Sequence, residues 1–263
     1  MASTADGLRL YHEERGSGAS ILCIHGTGSS AALWSEAAEK LAQLGRVITY
    51  DRRGCSERPV PYERTSVREH ADDAAALLDE LGAAPAVVIG RSYGGTIAMD
   101  LAIRHPELVR AIAVLEGDAP LELAPATADW IDAVAGRVRE AAARDGVGAV
   151  GEALAEEVFG EGVWPQLPEP MRRVLTENGP AILAELAGEW WLDADTEALA
   201  GLEQPVLLVA AADSRAELRQ PTEALASVLP GARMVVVEGG HLIDPAAPEV
   251  VGFVSDVLAG RSS

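Results

Sequence analysis

Residues 86–96 read Ala86-Val87-Val88-Ile89-Gly90-Arg91-Ser92-Tyr93-Gly94-Gly95-Thr96. Four apolar residues run without a break into a Gly-x-Ser-x-Gly turn, and a helical pattern follows over 96–104 and stops before Pro106. A short uninterrupted apolar run is the mark of a strand covered on both faces. So sharp a turn puts Ser92 in a strained backbone conformation, and the flanking glycines let neighbouring backbone approach without Cβ clashes. Ser92 then stands at the head of the helix. The helix's positive end and the Tyr93 N–H face any oxyanion formed there. A five-residue pattern can arise by coincidence, but a strand before it and a helix after it are the context that presents a nucleophile.

Outward from this turn the chain alternates strands and helices. Strands are expected over 20–25, 47–50 and 110–115, ending at Gly26, at Asp51-Arg52-Arg53-Gly54 and at Glu116-Gly117-Asp118. Helices are expected over 31–44 and 66–81, with Val67, Ala71, Ala74, Leu77, Leu78 and Leu81 on one face of the second. An antiparallel edge strand is expected over 8–13. This rhythm predicts an α/β fold with a mostly parallel sheet and helices on both faces. Such sheets place their chemistry at the carboxyl ends of the strands.

The rhythm breaks after residue 118. Helical patterns over 128–144, 147–159 and 171–189 follow one another with no convincing strand. Strands resume over 205–209 and 233–237, and a helix over 248–258 closes the chain. The expected organisation is a core of 1–118 and 204–263 with a helical cap inserted over 119–203. Four of the five tryptophans, Trp130, Trp164, Trp190 and Trp191, lie in that insert. They suit an apolar lid, although helix stripes more often bury such residues as core.

The 263 residues carry 41 Asp+Glu against 21 Lys+Arg, a formal net charge of −20. A field of that sign repels nucleic acid and anionic membrane surfaces. No apolar run approaches the length of a membrane span, and the polar start lacks a signal-peptide pattern. A cytoplasmic location is the expectation. Two cysteines, Cys23 in a strand and Cys55 in a loop, make no disulfide framework.

His25-Gly26-Thr27-Gly28 follows the first central strand. A dinucleotide loop would need a glycine at position 31, where Ala31 stands. The segment reads as an oxyanion loop, with the Thr27 N–H as second donor beside that of Tyr93 and His25 orienting the loop. Among the five histidines, His12 lies on the edge strand, His70 within a helix and His105 at a helix end. His241 alone sits in a glycine loop, Glu238-Gly239-Gly240-His241, after a late strand. It is the candidate base.

With these pieces together the chain resembles the α/β-hydrolase superfamily over essentially its whole length. The matching residues are His25-Gly26-Thr27-Gly28, Tyr50-Asp51-Arg52-Arg53-Gly54, residues 90–95, the helical insert and Gly240-His241. The resemblance implies an esterase, lipase, lactonase or related hydrolase that works without cofactor or metal. Haloalkane dehalogenases and soluble epoxide hydrolases share the fold but use an aspartate nucleophile, which Ser92 argues against. Most members place the triad acid nine residues beyond the proline opening the strand after the cap. From Pro205 that position is Ser214, one past Asp213. The other known placement ends the strand before the cap, as in fungal zearalenone lactonases. Here that position is Glu116, with Leu115 where the subgroup has a histidine. Glu116 is therefore favoured as the acid, with Asp213 as the alternative and Asp118 a distant third.

The expected activity is hydrolysis of a small hydrophobic carboxylic ester or lactone through Ser92, His241 and Glu116. Other chemistry on the same residues (C–C bond hydrolysis, perhydrolysis or acyl transfer) is a second reading. A binding protein that kept the fold is a third. Arg91 is expected to pack or pair behind the turn, with recognition of a substrate carboxylate as the lesser alternative.

Overall fold

The computed structural model describes residues 2–3, 7–55 and 62–261. A small antiparallel ribbon pairs β1 (Ala2–Ser3) with β2 (Arg9–Leu10). The main sheet contains β3 (His12–Arg15), β4 (Ser20–Ile24), β5 (Arg46–Tyr50), β6 (Ala86–Arg91), β7 (Val109–Leu115), β8 (Val206–Ala211) and β9 (Arg233–Val237). Their order is β3-β5-β4-β6-β7-β8-β9. Only β3 runs antiparallel to its neighbour, β5. The edge strand expected over 8–13 is thus divided between β2 and β3 at Tyr11.

Successive side chains of a strand point to opposite faces, and the core divides on that rule. Leu22, Val88, Ile112, Val114 and Leu208 join one buried cluster, with Leu77 of α2 (Val67–Glu80) and Ile97 of α3 (Tyr93–Arg104). Ile21, Cys23, Val87, Ile89, Ala113 and Leu207 join the other, with Leu41 of α1 (Ser35–Leu41) and Phe253 of α10 (Pro248–Leu258). Both faces are covered, which is why the central strands carry no polar alternation. α2 starts where Ser66 and Glu69 form a reciprocal capping box.

Between β7 and β8 lie five α-helices and no strand: α4 (Pro125–Asp145), α5 (Val150–Phe159), α6 (Glu169–Glu177), α7 (Gly179–Ala187) and α8 (Thr196–Ala200). α4 to α7 bury a core of their own, built on Val134, Val138, Val150, Leu154, Leu175 and Ile182. The single helix expected over 171–189 is two, broken at Asn178. After β8 comes α9 (Ala216–Val228), in a stretch where no element was expected. Among the described residues no helix is long and apolar enough to cross a membrane.

Candidate active site

The turn after β6 has the geometry its glycines imply. Ser92 adopts φ 55°, ψ −131° and caps α3. A Cβ on Gly90 would collide with the Gly94 carbonyl oxygen, and one on Gly94 with that of Ile24. The Ser92 N–H still bonds to the Leu115 carbonyl at 2.8 Å, so the turn is held to β7. Tyr93 opens the helix, where no carbonyl one turn back is available to its N–H.

Glu116 directly follows β7 and has φ 49°. Ser92 and Glu116 are the non-glycine residues of positive φ among the described residues. The Glu116 N–H bonds to the Val209 carbonyl at 3.0 Å, and its side chain is buried. Oε2 lies 2.6 Å from His241 Nδ1 and accepts from Ser214 Oγ at 2.7 Å, while Oε1 accepts the Ala211 N–H at 2.8 Å. Burial alone would raise the Glu116 pKa. The bonds from His241, Ser214 and the Ala211 amide outweigh it and hold the carboxyl below its ordinary value. Asp213 is exposed on the same loop, its backbone N–H bonded to the Gly239 carbonyl at 2.9 Å. Position 214 therefore contributes a hydroxyl to Glu116 where the more usual arrangement has the acid itself.

His241 is buried in the loop after β9. Arg91 Nη1 donates to the Ile243 carbonyl at 3.1 Å, and its guanidinium lies 5.5 Å from the Trp34 ring centre. The residue before Ser92 thus anchors the loop that carries His241. Burial lowers the Arg91 pKa to about 10.

The His25 loop is fastened from several sides. His25 Nδ1 donates to the Gly26 carbonyl at 2.9 Å, and Nε2 accepts the Arg52 N–H at 3.2 Å. Desolvation, with Arg52 beside it, holds the His25 pKa well below its usual value, which matches this neutral tautomer. Arg52 Nε and Nη2 donate to the His25 and Gly26 carbonyls, both at 3.0 Å. Nη2 also pairs with Glu185 of α7 at 2.8 Å, the two side chains 0% and 2% exposed. Asn178 Nδ2 bonds to the Ser29 carbonyl at 2.8 Å, and Asp51 Oδ1 accepts the Ala31 N–H at 2.8 Å. The sequence marked Arg52 only as part of a recurring segment. Glu185 and Asn178 carried no signal there, because their partners are remote in the chain.

Ser92, His241, Thr27 and Tyr93 all line one cavity. Its remaining wall is largely apolar and comes from the helices between β7 and β8. Trp130, Ile131 and Val134 contribute from α4, Leu154, Val158 and Phe159 from α5, Met171 and Leu175 from α6 and Leu186 from α7. The Phe159 ring centre is 6.4 Å from that of His241. Of the insert's tryptophans, Trp130 and Trp190 reach this wall. Among the described residues no cluster of three His, Cys, Asp or Glu side chains could hold a metal ion.

The alpha/beta hydrolase fold family matches residues 19–243 of the chain. RutD of Azorhizobium caulinodans, a protein named for carbamate hydrolysis, is 30% identical over 267 residues, covering 94% of this chain and 96% of its own. A thermophilic esterase from Thermogutta terrifontis superposes with a TM-score of 0.79 at 25% identity, covering 100% of this chain and 98% of that one. Est816, described as an N-acyl homoserine lactone degrading enzyme, superposes with a TM-score of 0.65 at 25% identity over 99% of both chains. With this match, and with the sheet order and turn geometry described above, the chain belongs to the α/β-hydrolase fold family.

Proposed function

We propose that this hydrolase cleaves carboxylic esters or lactones by acyl transfer to Ser92. The observation that carries the reading is the 2.6 Å bond between His241 and a buried, three-bonded Glu116, with Ser92 and His241 lining the same cavity. His241 takes the Ser92 hydroxyl proton as Oγ attacks the carbonyl, and returns it to the leaving alcohol. Glu116 fixes the imidazole and offsets its positive charge. The Thr27 and Tyr93 amides receive the oxyanion. Water then attacks the acyl-enzyme, giving up a proton to His241, and releases the acid. The helices within 119–203 act as a cap that supplies the apolar wall and excludes water. The names of the Thermogutta esterase and Est816 support ester and lactone bonds as substrates.

Treatment with a fluorophosphonate, followed by mass spectrometry, should modify Ser92 in the native protein. Ser92→Ala should lower turnover of an activated ester by about 10⁴-fold or more; turnover at the native rate would end the reading. Glu116→Gln should cost about 10³–10⁴-fold in kcat, and Asp213→Asn less than about twofold. The reverse order would make Asp213 the acid.

The likeness to RutD favours a second bond type, a carbamate, attacked at the same carbonyl position. Release of carbon dioxide and amine from an aryl carbamate, measured beside the matched aryl ester, separates the two.

A further inference from the structure

Gly26 to Ser29 form a tight turn, closed by the Ser29 N–H on the Gly26 carbonyl at 3.3 Å. Thr27 and Gly28 are its central residues, and Gly28 supplies the positive φ, 66°, at the third position. Such a turn leaves the N–H of its second residue outside its own hydrogen bond, so the Thr27 amide is free for another acceptor. The turn lies against the nucleophile. A Cβ on Gly26 would come within 3.1 Å of Ser92 Cβ and 3.7 Å of its Oγ.

Three buried residues of α6 and α7 and their junction, Leu175, Asn178 and Ile182, grip the far leg of this turn. Helical bonds continue through Asn178: its N–H bonds to the Val174 carbonyl at 3.0 Å, and its carbonyl accepts the Ile182 N–H at 2.9 Å. Spacings of three and four residues then place the trio on one face. A Cβ on Gly28 would stand 2.9 Å from both Leu175 Cδ2 and Ile182 Cδ1. Between them, Asn178 Nδ2 donates to the Ser29 carbonyl at 2.8 Å. Asn178 heads α7, where an asparagine ordinarily caps the helix with its side chain. Here it makes no cap bond, and its amide goes to the turn instead. The near leg is tied to the same helices. The Gly26 carbonyl accepts Arg52 Nη2, which pairs with Glu185 of α7. Leu175 also lines the cavity that Ser92 and Thr27 line. The surface offered to a substrate's apolar part therefore belongs to the element that holds the turn.

We propose that Asn178, flanked by Leu175 and Ile182, is a positioning residue for the oxyanion site. It holds the Gly26–Ser29 turn so that the Thr27 amide meets the developing oxyanion, and it makes that alignment depend on how α6 and α7 are seated. This rests on the reading that Ser92 attacks a carbonyl whose oxygen Thr27 receives. An amide aimed at charge that appears only in the transition state acts on kcat and leaves ground-state binding alone. Its displacement by about 1 Å can cost about a hundredfold in rate.

The test uses the full chain with p-nitrophenyl butyrate as substrate. Asn178→Leu removes the donor and should lower kcat by about 10- to 100-fold with KM within about threefold. Phenylboronic acid, which adds to a serine oxygen as a tetrahedral boronate, should lose affinity by a similar factor. In a Ser92→Ala background, the calorimetric affinity of Asn178→Leu for the intact ester should stay within about twofold. Ile182→Val removes the methyl group that abuts Gly28 and is among the mildest core substitutions. It should show the same split, with kcat lowered about three- to fivefold. Thermal unfolding checks that each variant is folded. A folded Asn178→Leu protein with kcat and boronate affinity within about twofold of native would mean that Asn178 merely satisfies a buried carbonyl, and overturns the proposal. Equal losses of ester and boronate affinity, the mark of a reshaped cavity, overturn it too. If Asn178→Leu does not fold, Ile182→Val decides on the same criteria. Fluorophosphonate treatment of the native protein separates the two readings. No labelling of Ser92 ends the hydrolase scheme and the positioning role with it, whereas labelling with unchanged kcat in the variants ends the positioning role alone.

Discussion

Ser92 and Glu116, at φ 55° and φ 49°, occupy conformations that L-residues avoid, each at a cost of order 1–3 kcal/mol. Both stand just past the ends of adjacent strands, and the strain aims each side chain at the cavity or its histidine. Such positions persist when the surroundings over-determine them, here through bonds to Leu115 and Val209. Ser214→Ala should test the support given to Glu116. Losing one of its three bonds lets the Glu116 pKa rise, and kcat should fall by roughly 10-fold with KM nearly unchanged. A KM effect alone would place Ser214 in substrate binding instead. Asp118 makes stability depend on pH. Its carboxyl binds a proton up to about pH 7 in the folded chain, and up to only about 3.9 when unfolded. Stability should therefore fall as pH rises through that window, and level off above it. Asp118→Asn should raise the midpoint of thermal unfolding at pH 8 and change it little at pH 4. An equal gain at both would refute the assignment. The turn that presents Ser92 and the loop that carries His241 were legible because their signals are local: glycines at a bend, and a glycine run after a strand. The place of Glu116 beside His241 was legible only from its position after β7. Nothing local showed that Ser214 would bond to it.

Between elements, the Arg52–Glu185 pair joins the loop after β5, the His25 loop and α7. Removing one partner leaves the other charged and buried, which costs about 3–5 kcal/mol. Denaturant unfolding should show that loss for Arg52→Met and for Glu185→Leu singly. The double variant should regain most of it, since an apolar pair avoids the desolvation of both charges. Its activity should stay low, because the His25 and Gly26 carbonyls have lost their donor and the Thr27 amide its fixed position. Recovery of both together would show that Arg52 has no hold on the loop. The same scale explains the misread helices. Asn178, Gly179 and Pro180 interrupt the pattern over 171–189, and the Asn178 side chain leaves its helix to bond to Ser29. α9 carries Pro221 in its interior, and a proline there argues against a helix. Packing of Leu218, Pro221 and Leu225 decides it instead.

Across the whole molecule, the charge of −20 sets a field that any substrate crosses. An ester bearing a carboxylate should show kcat/KM rising as salt goes from about 10 to 200 mM, as the Debye length shrinks from about 30 Å to under 10 Å. Its neutral counterpart should be unaffected, and equal salt responses would mean the field does not reach the cavity. The sheet and the helical insertion were both legible from where the strand rhythm stopped and resumed. How the insertion sits over the core was not, because that depends on contacts such as Leu175 and Ile182 against Gly28, which no local pattern encodes. The position of Glu116 before the insertion has one more result. Ser92 and Glu116 lie in one continuous segment, and His241 comes 125 residues later. A backbone break at the exposed Glu161-Gly162 turn would divide the chain into a piece holding the proposed nucleophile and acid and a piece holding the proposed base. On that reading neither piece carries a working relay, so ester hydrolysis after mixing would report their reassembly directly, with the site acting as a two-part sensor.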